Sequence, residues 1–298
     1  MPKLTPPCGA PCWFELSSTN PVAALAFHEA LFGWSHVHND MGEMGNYTFL
    51  RNANGTIGAM CGMPPGSEGR PSSWGVYFAT RDIDASVARA GELGGQLHFG
   101  PFEVPGNGRG AVLADPTGAV FSLWQPAQAD AGDFTMFEEY SVGWVELATR
   151  DAAAAKTFYG ALLDWEFIAS TVPSPVEYCE YAVAGTRFGG VMAMTPEWGE
   201  MPSHWSLYIP VPDVDACLAR AVEARWQGLR ARLRCAGRRP HRAARRSRWR
   251  GRLCDQAERH GVCCADKVTC FHSPHSRIEA VCAGLSRESA RGVNPLPH

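Results

Sequence analysis

Alternating apolar and polar positions predict a strand, a helix and then further strands at the start of the chain. Residues 13–17 have strand character, and Asn20 followed by Pro21 offers a helix N-cap with proline at the first helical position. Apolar residues keep helical spacing as far as Gly33, and residues 47–61 read as two strands around an Asn-Ala-Asn-Gly turn. This order is that of a βαβββ unit.

The same order begins again near residue 74. A strand over residues 74–80 leads to the cap residue Asp82 and a second amphipathic helix. Three strands follow, and the last two are joined by Asp-Pro-Thr-Gly at residues 115–118. The sequence therefore predicts two βαβββ units in succession.

The pair of units is itself repeated later in the chain at one constant separation. Trp-Phe-Glu-Leu at residues 13–16 recurs as Trp-Val-Glu-Leu at residues 144–147, and residues 73–78 resemble residues 204–209. We call this separation, which takes Trp13 to Trp144, the repeat offset. Landmarks kept at one offset indicate a duplicated domain. We expect a first domain over residues 8–126, a linker over 127–141 and a partial second domain over 142–224.

Charge and cysteine content change abruptly after residue 224. The formal net charge of −3 combines −15 for residues 1–224 with +12 for residues 225–298. Six of the 11 cysteines lie after residue 224, whereas the other five are too sparse for a disulfide framework. Those five suit a reducing compartment, which with the absence of a signal-like start predicts a cytoplasmic protein.

The arginine-rich stretch after residue 224 has three interpretations. Eleven arginines in residues 225–250 are typical of a nucleic-acid-binding arm, or of a solvated disordered tail. In the third interpretation the reading frame has shifted. Read one base later, with synonymous codons chosen to favour the match, residues 225–249 become GGKVCVPAFDVPGVGRIALLADPVG. This agrees with residues 94–118 at 14 of 25 positions without a gap. We favour the frameshift and consider nucleic-acid binding the least supported interpretation.

A frameshift would leave the second domain truncated by three strands. Residues 225–298 have neither a strand nor a helix period, so we expect a disordered or irregular segment that supplies no replacement strand. Its cysteines and histidines lack zinc-finger spacing, and Cys8 with Cys12 has no second pair, so neither predicts a metal site.

The combined motifs resemble the vicinal oxygen chelate superfamily, which contains glyoxalases, bleomycin-resistance proteins and extradiol dioxygenases. The similarity rests on Trp-x-Glu-Leu before a helix ending Leu-Phe-Gly-Trp, and on the Ala-Asp-Pro-Thr-Gly-Ala-Val-Phe hairpin. It covers about residues 8–224 and is closest to the tandem glyoxalase-like branch. The resemblance implies an α+β fold of paired βαβββ units in curved mixed sheets.

The resemblance also implies positions for metal ligands. Metal-dependent members use His, Gln or Glu on the first strand of each unit and Glu on a last strand. Here those positions fall on Trp13, Gly75 and Ser122, and in the second copy on Trp144 and Ser206. None is a good ligand for a divalent ion, so we predict no metal and no other cofactor, although an atypical metal stays open.

The remaining candidates lie on the face that the resemblance makes a concave cavity. Glu15 and Glu146 are candidate catalytic carboxylates, or else hydrogen-bond acceptors with a structural role. Large aromatic and apolar residues would bind a flat ligand or form ordinary core. This candidate ligand-binding set is Trp13, Met60, Trp74, Tyr77, Phe102, Trp124 and Trp144.

Three other features have competing interpretations. Arg109 is a candidate for binding an anionic group or a solvated hairpin arginine. His28 is a packed helix residue in preference to a ligand, and residues 64–72 are a lid or a plain connector.

Two functions fit best. The first is metal-independent binding of a small organic molecule, as in bleomycin-resistance proteins. The alternative is a glyoxalase-like lyase, dioxygenase or hydroxylase-type enzyme that uses Glu15. No apolar run reaches the roughly 18 residues of a membrane span. We therefore expect a small-molecule ligand and no membrane partner, whereas the oligomeric state stays open.

Overall fold

The computed structural model describes residues 6–40, 46–64, 66–67, 69–128, 132–171, 174, 176–223, 234–236 and 268–271. For residues 222–223 and the last two segments only the backbone is described. The side chains of the arginine tract, and those of the cysteines and histidines at positions 254–272, lie outside this part of the chain. The expectations about them therefore stay predictions.

The first copy contains eight strands and two helices, which alternate as the hydrophobic pattern predicts. Its elements are β1 (Pro11–Ser18), α1 (Pro21–Phe32), β2 (Ser35–Asp40), β3 (Asn46–Asn52), β4 (Gly55–Gly62), β5 (Ser73–Ala79), α2 (Ile83–Glu92), β6 (Gln96–Val104), β7 (Gly108–Ala114) and β8 (Val120–Pro126).

These eight strands form one mixed sheet in the order β2-β3-β4-β1-β5-β8-β7-β6. In each half the first strand runs parallel to the last strand of its own unit, β1 with β4 and β5 with β8. The two halves meet where β1 and β5 pair antiparallel. The predicted α+β architecture of paired βαβββ units is therefore confirmed for the first copy.

The second copy repeats this arrangement with fewer strands. Its elements are β9 (Trp144–Thr149), α3 (Ala152–Leu163), β10 (Glu166–Ala169), β11 (Tyr178–Val183), β12 (Thr186–Ala193), β13 (His204–Pro210), α4 (Val214–Glu223), β14 (Arg234–Ala236) and β15 (Val268–Phe271). Its sheet has the order β10-β11-β12-β9-β13-β15-β14. The first βαβββ unit of this copy is complete, and β13 with α4 begins the next.

Two short strands depart from the expectation that residues 225–298 supply no strand. β15 pairs parallel to β13, which is the position of β8 beside β5 in the first copy, and β14 pairs parallel to β15. Strand pairing uses backbone groups, so an open sheet edge can recruit residues whose side-chain pattern does not predict a strand. The antiparallel β7–β8 hairpin of the first copy has no counterpart among the described residues.

The helices begin where the capping residues predict. Asn20, Asp82 and Asp151 each accept a hydrogen bond from the backbone N–H three residues later, which satisfies one free donor of the first turn. In the described part of the chain, no helix is long and apolar enough to cross a membrane.

One hydrophobic core extends through both copies. The Trp34 indole N–H donates to the Tyr140 carbonyl at 2.7 Å, and the Trp165 indole N–H donates to the Gly9 carbonyl at 2.8 Å. The two donors are separated by the repeat offset, and so are the two acceptors. In the same way α1 packs on α4 while α2 packs on α3. The contacts between the copies therefore come in pairs, as an approximate two-fold axis requires.

Candidate functional site

One face of the first sheet carries polar and aromatic side chains that the helices do not cover. Along β1, Phe14 and Leu16 are fully buried toward the helices, whereas Trp13, Glu15 and Ser17 point the other way and are partly exposed. Tyr77 of β5 lies opposite Trp13 in the sheet register. We call this face the first cup.

Hydrogen bonds link the residues of the first cup across four strands, β1, β3, β4 and β5. The Tyr77 hydroxyl donates to Glu15 Oε1 at 3.3 Å, and the Trp13 indole N–H donates to the Tyr47 hydroxyl at 2.8 Å. Ser17 and Cys61 lie deeper along the same face, with Oγ and Sγ 3.8 Å apart. The first cup therefore combines the polar side chains of Glu15, Ser17 and Cys61 with the aromatic rings of Trp13, Tyr47 and Tyr77.

The environment of Glu15 favours its protonated form. Burial raises the pKa of Glu15, and hydrogen bonds from Tyr47, Tyr77 and Cys61 oppose that shift without reversing it. Burial and the Glu15 charge together raise the pKa of Tyr77 well above its ordinary value. This carboxyl can thus accept or donate a proton closer to neutral pH than an exposed glutamate.

The second copy holds the same four residue types at the same positions. The Tyr208 hydroxyl donates to Glu146 Oε1 at 2.5 Å, and the Trp144 indole N–H donates to the Tyr178 hydroxyl at 3.0 Å. Each residue follows its counterpart in the first cup by the repeat offset. We call this face of the second sheet the second cup.

Apolar side chains fill the second cup. Ala148 and Met192 stand where the first cup has Ser17 and Cys61, and with Met194 they pack against a covering set of side chains. That set consists of Val176, Tyr178, Trp198 and Met201. Glu146 is only 1% exposed, so this carboxyl is sealed from solvent.

Arg150 holds the covering loop of the second cup in place. Its guanidinium donates to the carbonyls of Thr195, Gly199 and Met201, on both sides of the short 3-10 helix Pro196–Trp198. The equivalent position in the first copy is Thr19, whose side chain is too short to reach across a loop in this way. The loop over residues 64–72 has no equivalent arginine from that position.

The candidate ligand-binding residues divide between the two faces of the first sheet. Trp124 lies beside Tyr77, with ring centroids 6.5 Å apart. Phe102 lies on the same face of the sheet, because Gly110 pairs with both Phe102 and Trp124 in the strand register. Met60 and Trp74 instead pair with Leu16 in the sheet register, so they lie in the core beneath the helices. The structure therefore brings Trp13, Tyr77, Phe102 and Trp124 together and separates Met60 and Trp74 from them.

Arg109 lies outside the first cup. Its guanidinium forms a two-pronged ion pair with Asp84 at the start of α2, at 2.6 and 3.0 Å. Both side chains are partly exposed. This geometry matches the hairpin-arginine interpretation of the sequence.

The ligand positions that the superfamily implies do not fit a divalent metal. Trp13, Gly75 and Ser122 share the cup face, but only the Ser122 hydroxyl has an oxygen or nitrogen that can coordinate, and weakly. Within the described residues, no three His, Cys, Asp or Glu side chains cluster closely enough to hold a metal ion. We derive no chemistry through a metal here.

Sequence reasoning missed Tyr47, Cys61, Tyr178 and Tyr208. Tyr47 and Tyr178 come from the third strand of their units, whose position in the sheet does not follow from local periodicity. The repeat offset relates Tyr47 to Tyr178 and Tyr77 to Tyr208, and this was the signal that would have identified them.

Comparisons with known proteins agree with this architecture. The model of the glyoxalase-like domain family matches residues 13–124. The chain is 38% identical to the anthracycline biosynthesis protein DauV of Streptomyces sp. strain C5, over 72% of this chain and 82% of DauV. It is 33% identical to CFP32 of Mycobacterium bovis, over 74% of this chain and 84% of that protein.

A solved structure supports the fold alone. The Mn(II)-bound glyoxalase from Novosphingobium aromaticivorans superposes with a TM-score of 0.50 at 16% identity, covering 73% of this chain and 70% of that one. With the domain match and the relatives together, the chain belongs to the glyoxalase-like family.

Proposed function

We propose that the first cup binds a planar aromatic molecule that carries oxygen substituents, and that it does so without a divalent metal. The observation that supports this most is the Glu15–Tyr77 hydrogen bond, with the Trp124 ring 6.5 Å from the Tyr77 ring and Trp13 opposite Tyr77 in the sheet register. The rings offer flat apolar surface, and the carboxyl and hydroxyl offer a donor and an acceptor to a phenol or ketone.

The relatives support the same class of ligand. DauV is named for anthracycline biosynthesis, and anthracyclines are planar, oxygen-substituted polycyclic molecules. Trp13, Gly75 and Ser122 at the implied ligand positions support the metal-independent part of the proposal.

Binding is assigned to the first cup and not to the second. Met192, Met194 and Trp198 already occupy the apolar part of the second cup, and Arg150 fixes the loop above them. Displacing those side chains would expose buried apolar surface, which opposes binding. We therefore expect one ligand per chain.

An anthracycline aglycone is a suitable probe because its own fluorescence reports binding. Glu15→Gln and Tyr77→Phe should each weaken binding about tenfold, equivalent to about 1.4 kcal/mol, through loss of one polar contact. Glu146→Gln is the matched control in the second cup and should leave the dissociation constant unchanged. Equal effects of Glu15→Gln and Glu146→Gln, or no effect of Glu15→Gln, would refute the assignment.

A catalytic function is the second candidate, because Glu15 combines a raised pKa with partial exposure. In this alternative the Glu15 carboxylate removes a proton from a carbon next to a ligand carbonyl and returns it to another atom. Deuterium uptake from heavy water into a bound keto compound would test it by NMR. Uptake that Glu15→Gln abolishes would support catalysis, whereas unlabelled ligand would leave binding as the function.

A cytoplasmic location and the absence of a nucleic-acid partner complete the proposal. The free thiols of Cys8, Cys12, Cys61, Cys179 and Cys217 suit a reducing compartment. Nucleic-acid binding would depend on arginines after residue 224, so truncation there should leave probe binding in the first cup intact.

A further inference from the structure

His28 on α1 is a buried polar residue with one ring nitrogen unsatisfied. It is 5% exposed, and its Nδ1 lies 2.8 Å from the Ala24 carbonyl oxygen. Its Nε2 has no hydrogen-bond partner among the described residues. The ring stacks on Trp34 at 5.1 Å and meets the edge of Trp74 at 5.9 Å. A buried ring nitrogen without a hydrogen-bond partner lowers the stability of the folded protein, and such groups are rare in native structures.

Tyr159 on α3 lies among equivalent aromatic rings, but its polar atom has a hydrogen-bond partner. Its ring stacks on Trp165 at 4.7 Å and meets the edge of Trp205 at 5.6 Å. By the repeat offset, these three residues are the counterparts of His28, Trp34 and Trp74. The Tyr159 hydroxyl donates to Asp115 Oδ2 at 3.0 Å, and Asp115 begins the Asp-Pro-Thr-Gly turn between β7 and β8.

The approximate two-fold relation identifies what is missing at His28. Contacts between the copies occur in pairs, as the Trp34–Tyr140 and Trp165–Gly9 hydrogen bonds show. The partner of the Tyr159–Asp115 contact would join His28 to position 246. In this reading frame position 246 is an arginine.

We propose that the buried surface around His28 Nε2 is the docking surface for an Asp-Pro-x-Gly hairpin, encoded by the codons of residues 225–249 when they are read one base later. That reading gives Ala-Asp-Pro-Val-Gly and puts the aspartate at position 246. The docked segment would form the counterpart of the antiparallel β7–β8 hairpin, which the second sheet does not have among its described residues. β14 and β15 contain no aspartate, so they cannot supply this contact.

A second position of the shifted frame fits the docking surface independently. At Gly95, just before β6, an added Cβ would lie 3.0 Å from the Phe158 ring and 3.0 Å from the Ala90 carbonyl oxygen, so a side chain here would require those neighbours to shift by a few tenths of an ångström. The counterpart of Phe158 on α1 is Phe27, and the counterpart of Gly95 is position 226. The shifted frame has glycine there, whereas this frame has Trp226.

The proposal predicts a change in the titration of His28. Burial lowers the pKa of His28 to about 4, and the Ala24 carbonyl opposes the shift. From α4, the charged residue that contacts α1 is Arg220, whose Nε lies 3.3 Å from the Leu31 carbonyl oxygen. A carboxylate at Nε2 stabilises the charged ring, so docking of the hairpin raises this pKa.

NMR titration of the histidine rings compares the 298-residue chain with a chain whose frame is restored by deleting one base at codon 225. His28 should titrate near pH 4 in the 298-residue chain and at least two pH units higher in the restored chain. Replacing the aspartate at position 246 by asparagine in the restored chain should return the value toward 4. His28→Gln identifies the resonance.

Thermal unfolding provides a second readout if the ring signals overlap. In the restored chain, His28→Tyr should keep the melting temperature because tyrosine reproduces the Tyr159–Asp115 pair, whereas His28→Phe should lower it by several degrees. In the 298-residue chain the two variants should have the same melting temperature.

A His28 titration that is the same with aspartate and with asparagine at position 246 overturns the proposal. A raised value in the 298-residue chain also overturns it, because His28 then already has a carboxylate partner or access to solvent without the hairpin. Neither readout involves the ligand of the first cup.

Discussion

At the scale of single residues, the two cups use the same Trp–Glu–Tyr–Tyr set with different neighbours. Glu15 stands beside Ser17 and Cys61 and stays partly exposed, whereas Glu146 stands beside Ala148 and Met192 and is sealed. These two differences, together with the covering loop, accompany the lower exposure of Glu146 relative to Glu15.

Strand alternation predicted some of these residues and not others. The period of two correctly put Trp13 and Glu15 on one face. Trp74 and Tyr77 are three positions apart in one strand, so alternation puts them on opposite faces and only Tyr77 can line the cup. Tyr47 was missed because its strand is distant in sequence from β1, and pairing between distant strands is not written in local periodicity.

The raised pKa of Glu15 makes stability depend on pH. An unfolded glutamate titrates near 4.5, and the folded value is higher, so the unfolded state releases its proton first as pH rises. The free energy of unfolding should therefore fall from pH 4.5 until the folded Glu15 has ionised. Urea denaturation from pH 5 to 8 should show a smaller fall in Glu15→Gln, and an unchanged fall in the exposed-site control Glu166→Gln. A parallel fall in Glu15→Gln would contradict the burial argument.

Tyr159 and Tyr181 provide a matched test of the buried contact with Asp115. Both rings are fully buried, but the Tyr159 hydroxyl donates to Asp115 whereas the Tyr181 hydroxyl has no partner among the described residues. Tyr159→Phe should lower the free energy of unfolding by about 1–3 kcal/mol because it leaves a buried carboxylate oxygen unpaired. Tyr181→Phe should be neutral or stabilising in the same urea titration. Equal losses would show that the Asp115 contact adds nothing.

At the scale of elements, capping and turn residues predicted the helices and hairpins of the first copy, and the repeat offset predicted those of the second. Asn20, Asp82 and Asp151 determine where helices begin, and the Asp-Pro-Thr-Gly turn joins β7 to β8. The strands β14 and β15 were not predicted because an open sheet edge, and not their own sequence, supplies the hydrogen bonds. The covering loop of the second cup was also beyond prediction, since it depends on one arginine meeting three distant carbonyls.

Arg150 should control the mobility of that covering loop. Arg150→Ala removes the three hydrogen bonds to Thr195, Gly199 and Met201, so amide hydrogens of residues 195–201 should exchange at least tenfold faster. Arg89→Ala is the control, because Arg89 forms an exposed ion pair with Glu92 on α2 of the first copy. Unchanged exchange in Arg150→Ala would mean that apolar packing alone holds the loop.

At the scale of the whole molecule, the duplication explains both the shape of the core and its incomplete part. Each copy provides a helix and a tryptophan to the other, so the two sheets share one core. The sequence predicts the duplication and its end near residue 224, and the truncation stays a prediction. It did not predict that His28 Nε2 has no hydrogen-bond partner among the described residues, because contacts at this position join residues far apart in the chain.

A shared core should make the two copies unfold together. Phe78 of the first copy is fully buried against Trp165 and Trp205 of the second, with ring centroids 5.2 and 5.3 Å away. Phe78→Ala should cost about 3–5 kcal/mol and shift circular dichroism and tryptophan fluorescence transitions equally. Phe99→Ala, at a side chain 63% exposed, should change stability by less than about 0.5 kcal/mol. Separate transitions for the two probes would show that the copies are independent.

The most direct test of the central claim is a titration of chelator-treated protein with the anthracycline aglycone, repeated with one equivalent of Mn²⁺. A first cup that binds planar aromatic molecules without a metal predicts one probe per chain and the same dissociation constant, within twofold, in both titrations. Binding that appears only with Mn²⁺, or two equal sites per chain, would contradict it.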